Sequence, residues 1–202
     1  MAHEIEMKFR LPSLTAVTRR LAALKAGRLH TMLQDDCYFD TPRYRLLRRG
    51  CGLRLRTVRL LRAGVGKLDG RAELTYKGPA RRGAKAKVRP EHQSRVDDPA
   101  GIEVVLAACG LRPMLRLQKR RATYRLGGCV VALDELPVLG CFVEIEGPSE
   151  AAIQRVRGRL GLTGRPIRSH YVRLLQARCK RVGRRCLRAG FGACRRCPYR
   201  PT

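Results

Sequence analysis

The sequence predicts an α+β fold in which about eight antiparallel strands dominate and four helices punctuate them. Two observations predict it. Most segments alternate apolar and polar residues with period two, as a strand with unlike faces does. A minority place apolar residues three and four apart, as a helix with one buried face does. At 202 residues, 44% of them apolar, the chain is long enough for one domain with a core of its own.

The elements follow in order. HEIEMKF (3–9) alternates Glu4, Glu6 and Lys8 with Ile5, Met7 and Phe9. Ser13 stands where a helix cap belongs, ahead of Leu14, Val17, Leu21 and Leu24 on one helical face. CYFDT (37–41), GLRLRTV (52–58), AELTYKG (72–78) and KVRPEHQ (87–93) read as strands. A second helix is expected from Pro99 to Cys109, carrying Ile102, Val105 and Leu106, with Gly110 as its stop. LQKRRATY (117–124), CVVALDEL (129–136) and CFVEIEG (141–147) complete the strands. Pro148 and Ser149 introduce a third helix with Ile153, Val156 and Leu160, and a fourth begins near Ser169 with Tyr171, Leu174 and Leu175. Arg62–Gly70 and Pro79–Ala86, rich in Gly, Lys and Arg, read as mobile loops.

The polar faces are unusual. A solvent-facing sheet also has one polar face, but such faces mix Ser, Thr, Gln and Lys. Here the polar positions are mostly full charges of both signs: Glu4, Glu6, Lys8 and Arg10; Arg54 and Arg56; Glu73 and Lys77. Arg89 shares a face with Glu91, Lys119 with Arg121, and Glu144 with Glu146, while Asp134 stands opposite in parity to its apolar neighbours. If the sheet closes on itself, these groups converge, and like charges repel unless counter-ions neutralise them. Divalent cations such as Mg²⁺ or Mn²⁺ suit the carboxylates, and phosphate oxygens suit the Arg and Lys set. Metals and guanidiniums around one polyphosphate are the general apparatus of phosphoryl transfer.

Composition points the same way. The net charge is +28, from 44 basic and 16 acidic residues, which favours polyanionic partners. No apolar run is long enough to cross a membrane as a helix and no signal-like stretch opens the chain, so a cytoplasmic location is expected. Nine Cys without a clear framework suit a reducing compartment. Cys37, Cys51, Cys109, Cys129 and Cys141 read as buried or half-buried thiols, and His3, His30, His92 and His170 as structural or surface groups. The division expected is a domain over 1–177 and a disordered basic extension over 178–202, which has nine Arg or Lys, no acid, and Cys179, Cys186, Cys194 and Cys197. Of these only Cys194 and Cys197 have the CxxC spacing of a zinc site, so a polyanion contact through the extension is the stronger expectation.

Glu4-x-Glu6-x-Lys8 resembles the ExExK signature of the CYTH superfamily, the triphosphate tunnel metalloenzymes. That family includes class IV adenylate cyclases, thiamine triphosphatases and inorganic triphosphatases. CYFDT, LRLR, LTYKGP, Arg89-x-Glu91, Lys119-x-Arg121, ALDEL, FVEIEG and SHYVRLL resemble its later segments in order, over about residues 3–176. The resemblance implies a closed eight-stranded antiparallel barrel, the tunnel, with helices packed outside. It implies Glu4, Glu6, Asp134, Glu144 and Glu146 as ligands of Mg²⁺ or Mn²⁺. It implies Lys8, Arg54, Arg56, Lys77, Arg89, Lys119 and Arg121 as the grip on a triphosphate, and Tyr38 with Lys77 as a pair that activates water. Glu73 and Glu91 are tunnel-facing acids without an assigned role, and Gln93 stands where a further carboxylate is common. The substrate implied is ATP, thiamine triphosphate or tripolyphosphate, either hydrolysed or, for ATP, cyclised to cyclic AMP. A non-catalytic binder of polyphosphate or nucleic acid is the competing class; it needs no divalent ion and weakens steeply with salt.

Overall fold

A computed structural model describes residues 3–62, 65–81, 83, 86–181 and 188–191. Eight strands carry the architecture: β1 (His3–Leu11), β2 (Gly27–Asp40), β3 (Gly52–Arg62), β4 (Val65–Lys77), β5 (Lys87–Val96), β6 (Arg112–Leu126), β7 (Cys129–Leu136) and β8 (Gly140–Glu146). Five helices intervene: α1 (Thr15–Ala23), α2 (Arg45–Arg48), α3 (Pro99–Ala108), α4 (Glu150–Leu160) and α5 (Tyr171–Arg181). The strands pair antiparallel in the order β2-β3-β4-β5-β1-β8-β7-β6, and β2 pairs with β6 to close the sheet into a barrel. A ninth strand, β9 (Arg188–Ala189), lies parallel against β6.

Closure sorts side chains into an outer and an inner set. On the outside, Met7, Phe9, Val131, Leu133, Val143 and Ile145 pack with Val17 and Leu21 of α1 and Ile153 and Val156 of α4. Cys37, Phe39 and Leu55 pack with Leu106 of α3 in a second cluster. These are the apolar parities of the alternating strands. The third cluster is internal: Leu115, Leu117, Leu136 and Phe142 share the parity of Lys119, Asp134 and Glu144, and they pack on Tyr171, Val172, Leu175 and Cys179 of α5. Thus α5 stoppers part of the lumen with apolar groups, and the charged groups occupy the remainder.

Local chemistry sets the helix ends. The Gly101 N–H donates to the Asp98 carboxylate at the start of α3, with Pro99 at the first helical position. The Ala152 N–H donates to the Ser149 hydroxyl at the start of α4, which ends at Gly161 with φ 70°. Ser13 contributes as expected in kind: its hydroxyl accepts the Thr15 N–H, although Leu14 is the capping residue. The short α2 has no periodic signal. It exists because the buried Asp40 carboxylate accepts the N–H groups of Thr41, Leu46 and Leu47.

Four expectations change. β2 starts at Gly27, ten residues before the expected strand, because the pairing shifts register between Arg28 and His30 and leaves Leu29 exposed, breaking the two-residue period. Residues 65–70, expected in a loop, instead continue the β3–β4 hairpin, with Leu60 opposite Lys67 and Arg62 opposite Val65. α5 runs past the boundary expected at 177, and residues 188–191 of the extension dock: Ala189 is buried, and the Phe191 N–H donates to Gln118 Oε1. Cys109 is exposed rather than buried. Cys186, Cys194 and Cys197 lie outside the described residues. No described helix is long and apolar enough to cross a membrane.

Leu175 is 1% exposed within the internal cluster. Leu175→Ala should cost about 2–5 kcal/mol of stability through the cavity it leaves, read as a lower denaturant midpoint at unchanged slope.

Candidate functional site

The closed sheet brings the charged parities to one cavity of about 560 Å³. β1 contributes Glu4, Glu6 and Lys8, and β8 contributes Glu144 and Glu146. β3 adds Arg54 and Arg56, β4 adds Lys77, and β5 adds Arg89 and Glu91. β6 adds Lys119 and Arg121. Tyr38 of β2 also lines it, as do Gln93 and Thr75. Register explains the convergence: Glu4 is opposite Arg89, Glu6 opposite both Lys87 and Glu146, and Lys8 opposite Glu144.

Charges taken from water need partners, and the cavity provides them internally. Lys77 Nζ donates to Glu4 at 2.5 Å and to Glu91 at 2.8 Å, and Arg89 Nε donates to Glu4 at 2.7 Å. Lys87 Nζ reaches Glu6 at 2.8 Å. Lys8 Nζ lies 3.0 Å from Glu144, which also accepts from Arg121. Burial alone would raise the glutamate pKa values. Lys8 and Lys87 outweigh it at Glu6, bringing its value down to about 2, and Lys8 and Arg121 hold Glu144 well below the ordinary range. Burial would likewise lower Lys8, and Glu144 with Glu6 outweigh it, so the ammonium is held on.

Behind this front row stand two aspartates with no exposed surface. Asp36 clamps Arg56 through two bonds, 2.6 and 2.8 Å. Asp134 takes both Nε and Nη2 of Arg121, at 2.6 and 2.5 Å, the Tyr171 hydroxyl at 2.9 Å, and Lys119 at 3.3 Å. Asp134 was expected among metal ligands; the structure sets it behind Arg121 and off the cavity wall, its oxygens saturated by donors. Glu4, Glu6, Glu144 and Glu146 do line the wall, an oxygen-only donor set of the kind hard divalent cations take. Among the described residues no three acidic, His or Cys groups already converge as ligands, because Glu4, Glu6 and Glu144 are each turned to a Lys or Arg. Glu146 has no such partner among the described ion pairs, and burial together with Glu4 raises its pKa. Like-charge crowding of this kind favours the protonated carboxyl, or a cation beside it.

The Tyr38–Lys77 pair is only half supported by geometry. Both side chains line the cavity. Burial and Asp36 push the Tyr38 phenol up to about 12, so it keeps its proton at neutral pH, and Lys77 is held between two carboxylates. Glu73 pairs with Arg54 at 3.1 Å and stands off the cavity wall. Arg10 is exposed, does not line the cavity, and lies over the ring of Phe142 in the internal apolar cluster.

Sequence reading missed four functional positions and the charge state of a fifth. Asp36 precedes Tyr38 by two, so alternation would have found it had that strand been started earlier; Lys87 opens KVRPEHQ two residues before Arg89, and its place on the charged face went unread. Tyr171 had been read only as a helix-face residue; its ring lies 4.1 Å from Lys8 Nζ and its hydroxyl holds Asp134. His170, read as structural, lines the cavity with its pKa down to about 3, through burial and the Lys87 and Arg89 charges. Lys119 was named, but its state was not: burial and Arg121 bring its pKa down to about 7.

Asp36 makes stability pH-dependent in a defined direction. Arg56 outweighs burial and depresses its folded pKa below the ordinary 3.8, so the unfolded chain takes up the proton first as pH falls. Its contribution is intact above that value and is lost below it. Asp36→Asn should cost about 3–5 kcal/mol at pH 7, because Arg56 stays buried without its partner, and should flatten the acid limb of a stability–pH profile.

Comparison with known proteins places the fold among relatives. Residues 2–154 match the CYTH domain model. The chain is 32% identical over 146 residues to adenylate cyclase CyaB of Aeromonas hydrophila, covering 70% of this chain and 67% of that one. The PH1012 protein of Pyrococcus horikoshii OT3 superposes with a TM-score of 0.71 at 25% identity, covering 85% of this chain and 98% of its own. A putative adenylyl cyclase from Hippeastrum, described as having a dominant triphosphatase activity, shares the fold with a TM-score of 0.65 at 19% identity, covering 86% and 95%. The family match runs from the first strand of the barrel into α4 and includes the acidic strands β1 and β8: the chain belongs to the CYTH domain family.

Proposed function

We propose that this protein is a divalent-metal-dependent enzyme acting on the triphosphate group of its substrate, with hydrolysis as its principal reaction. One observation carries the reading: Lys8, Arg54, Arg56, Arg89, Lys119 and Arg121 face one enclosed cavity together with Glu4, Glu6, Glu144 and Glu146. An anion-binding site needs the first set alone; the second set opposes an anion unless cations neutralise it.

The lumen charges exchange partners when substrate arrives. Arg121 and Lys8, now on Glu144, and Arg89 and Lys77, now on Glu4, turn to phosphate oxygens. The same exchange uncovers the glutamate oxygens. Mg²⁺ or Mn²⁺ would be held by Glu4, Glu6, Glu144 and Glu146, and it would supply Lewis-acid neutralisation of the phosphoryl charge. Asp36 and Asp134 stay behind Arg56 and Arg121 and keep their forks aimed. Beyond the cations, Leu47, Leu53, Met114 and Val172 form an apolar stretch of wall, which touches whatever extends past the phosphates without reading a hydrogen-bond pattern. This favours water over a precisely held ribose hydroxyl as nucleophile. The relative named adenylate cyclase favours the second reading, in which the 3′-hydroxyl of ATP attacks the α-phosphorus and pyrophosphate leaves.

ATP, thiamine triphosphate and tripolyphosphate, each with Mg²⁺ or Mn²⁺, are expected to yield orthophosphate in excess of cyclic AMP; dominant cyclic AMP would reverse the order of the two readings. Turnover without divalent ions would remove the metal from the scheme. Glu6→Gln should lower kcat by about 100-fold or more and weaken Mn²⁺ binding in calorimetry. Arg54→Ala removes donors from Glu73 and from Thr75, but the Thr75 hydroxyl still donates to the half-exposed Glu73, so the variant should fold normally and raise KM by about tenfold.

A further inference from the structure

The cations do not stop at the cavity. α2 contributes Leu47 to the cavity wall and exposes Arg45, Arg48 and Arg49 on its other sides, with Arg43 just before it. The α5 side chain Arg173, also exposed, reaches across and donates to the Leu47 carbonyl at 2.9 Å, tying the two segments together at this rim. Among the described residues none of these five guanidiniums makes an ion pair. The sequence accounts for that. No Asp or Glu stands between Asp40 and Asp69, nor anywhere after Glu150. Asp40 itself is spent inward, its carboxylate accepting the N–H groups that fix α2. The rim is therefore an Arg collar without acidic partners among the described residues. It is continuous with the interior: His170, on the cavity wall, feels Lys87, Arg89 and Lys8 from inside and Arg173 from the collar.

We propose that the collar of Arg43, Arg45, Arg48, Arg49 and Arg173 binds the outlying phosphates of a linear inorganic polyphosphate chain whose end lies in the cavity. The proposal rests on reading the cavity as a triphosphate cradle. A chain longer than the cavity must emerge, and past Leu47 it meets guanidiniums, which fork onto phosphate oxygens. Polyphosphate fits better than single-stranded nucleic acid. Strand binding without sequence preference relies on a series of aromatic platforms. Tyr44 and Tyr76 are the exposed tyrosines among the described residues, and Tyr76 is stacked on His92.

The test compares the full chain with the triple variant Arg45→Gln, Arg48→Gln, Arg49→Gln and with Arg54→Ala, measuring Kd for tripolyphosphate and for long-chain polyphosphate across a salt series. The wild type should bind the long chain about tenfold more tightly than tripolyphosphate near physiological salt. The triple variant should lose that preference, keep its tripolyphosphate Kd within about twofold, and show a log Kd–log salt slope for the long chain shallower by about two. A triple variant that keeps the chain-length preference overturns the collar. So does a wild type that prefers 5′-triphosphorylated RNA over polyphosphate, the preference vanishing in the same variant. Tripolyphosphate binding unaffected by Arg54→Ala indicts the cradle instead, whatever the collar does.

Discussion

A charge withdrawn from water must be paired or neutralised, and this constraint organises the barrel. The strands alternate so regularly that closing the sheet forces both acidic and basic side chains inward. The fold survives because the inward charges are arranged in opposed pairs across strands, Glu4 with Arg89, Lys8 with Glu144, Arg56 with Asp36. Such pairs add little net stability over apolar packing, yet breaking one is costly. The stabilising area lies elsewhere, in the outer clusters under α1, α3 and α4 and in the inner plug made with α5. The apolar core holds the barrel, and the barrel holds a charged interior that apolar packing alone would not retain.

The pairs form two classes with different consequences. Asp36 and Asp134 have no exposed surface and bind their arginines through two bonds each. They fix where the guanidiniums sit. The glutamates of β1 and β8 face the cavity, and their partners Lys8, Lys77, Arg89 and Arg121 face the same space. These contacts are exchangeable, since an incoming anion competes for the cations and an incoming cation for the carboxylates. Apart from Glu146, the wall glutamates of such a site rest neutralised by their own neighbours, so incoming ions exchange with partners already in place.

Much of this was legible in the residues. The parity of HEIEMKF, GLRLR and CFVEIEG places seven charged side chains correctly, because a strand's period of two is rigid and a closed sheet leaves no choice of face. Helices α3 and α4 carry their caps in plain view. What failed to show has physical causes. The bulge near Leu29 scrambles the alternation of β2, and with it Asp36 was lost. α2 is made by one distant carboxylate, not by its own four residues. The split between Asp134 and the four glutamates depends on depth, which parity does not encode. Tyr171 and His170 reach the lumen from a loop and helix start, where no period aims a side chain.

The packing of α5 against Leu115, Leu117, Leu136 and Phe142 has a consequence for traffic. Where the bore is corked by hydrocarbon, a highly charged guest cannot pass straight through in that direction. Leu47 of α2 packs on this same plug, so the narrowing lies on the α2 side and a guest uses the part of the bore that α5 leaves open. The channel is therefore asymmetric: one stretch of its wall is hydrocarbon and the rest is charge, and an elongated anion lying in it meets unlike surroundings along its length.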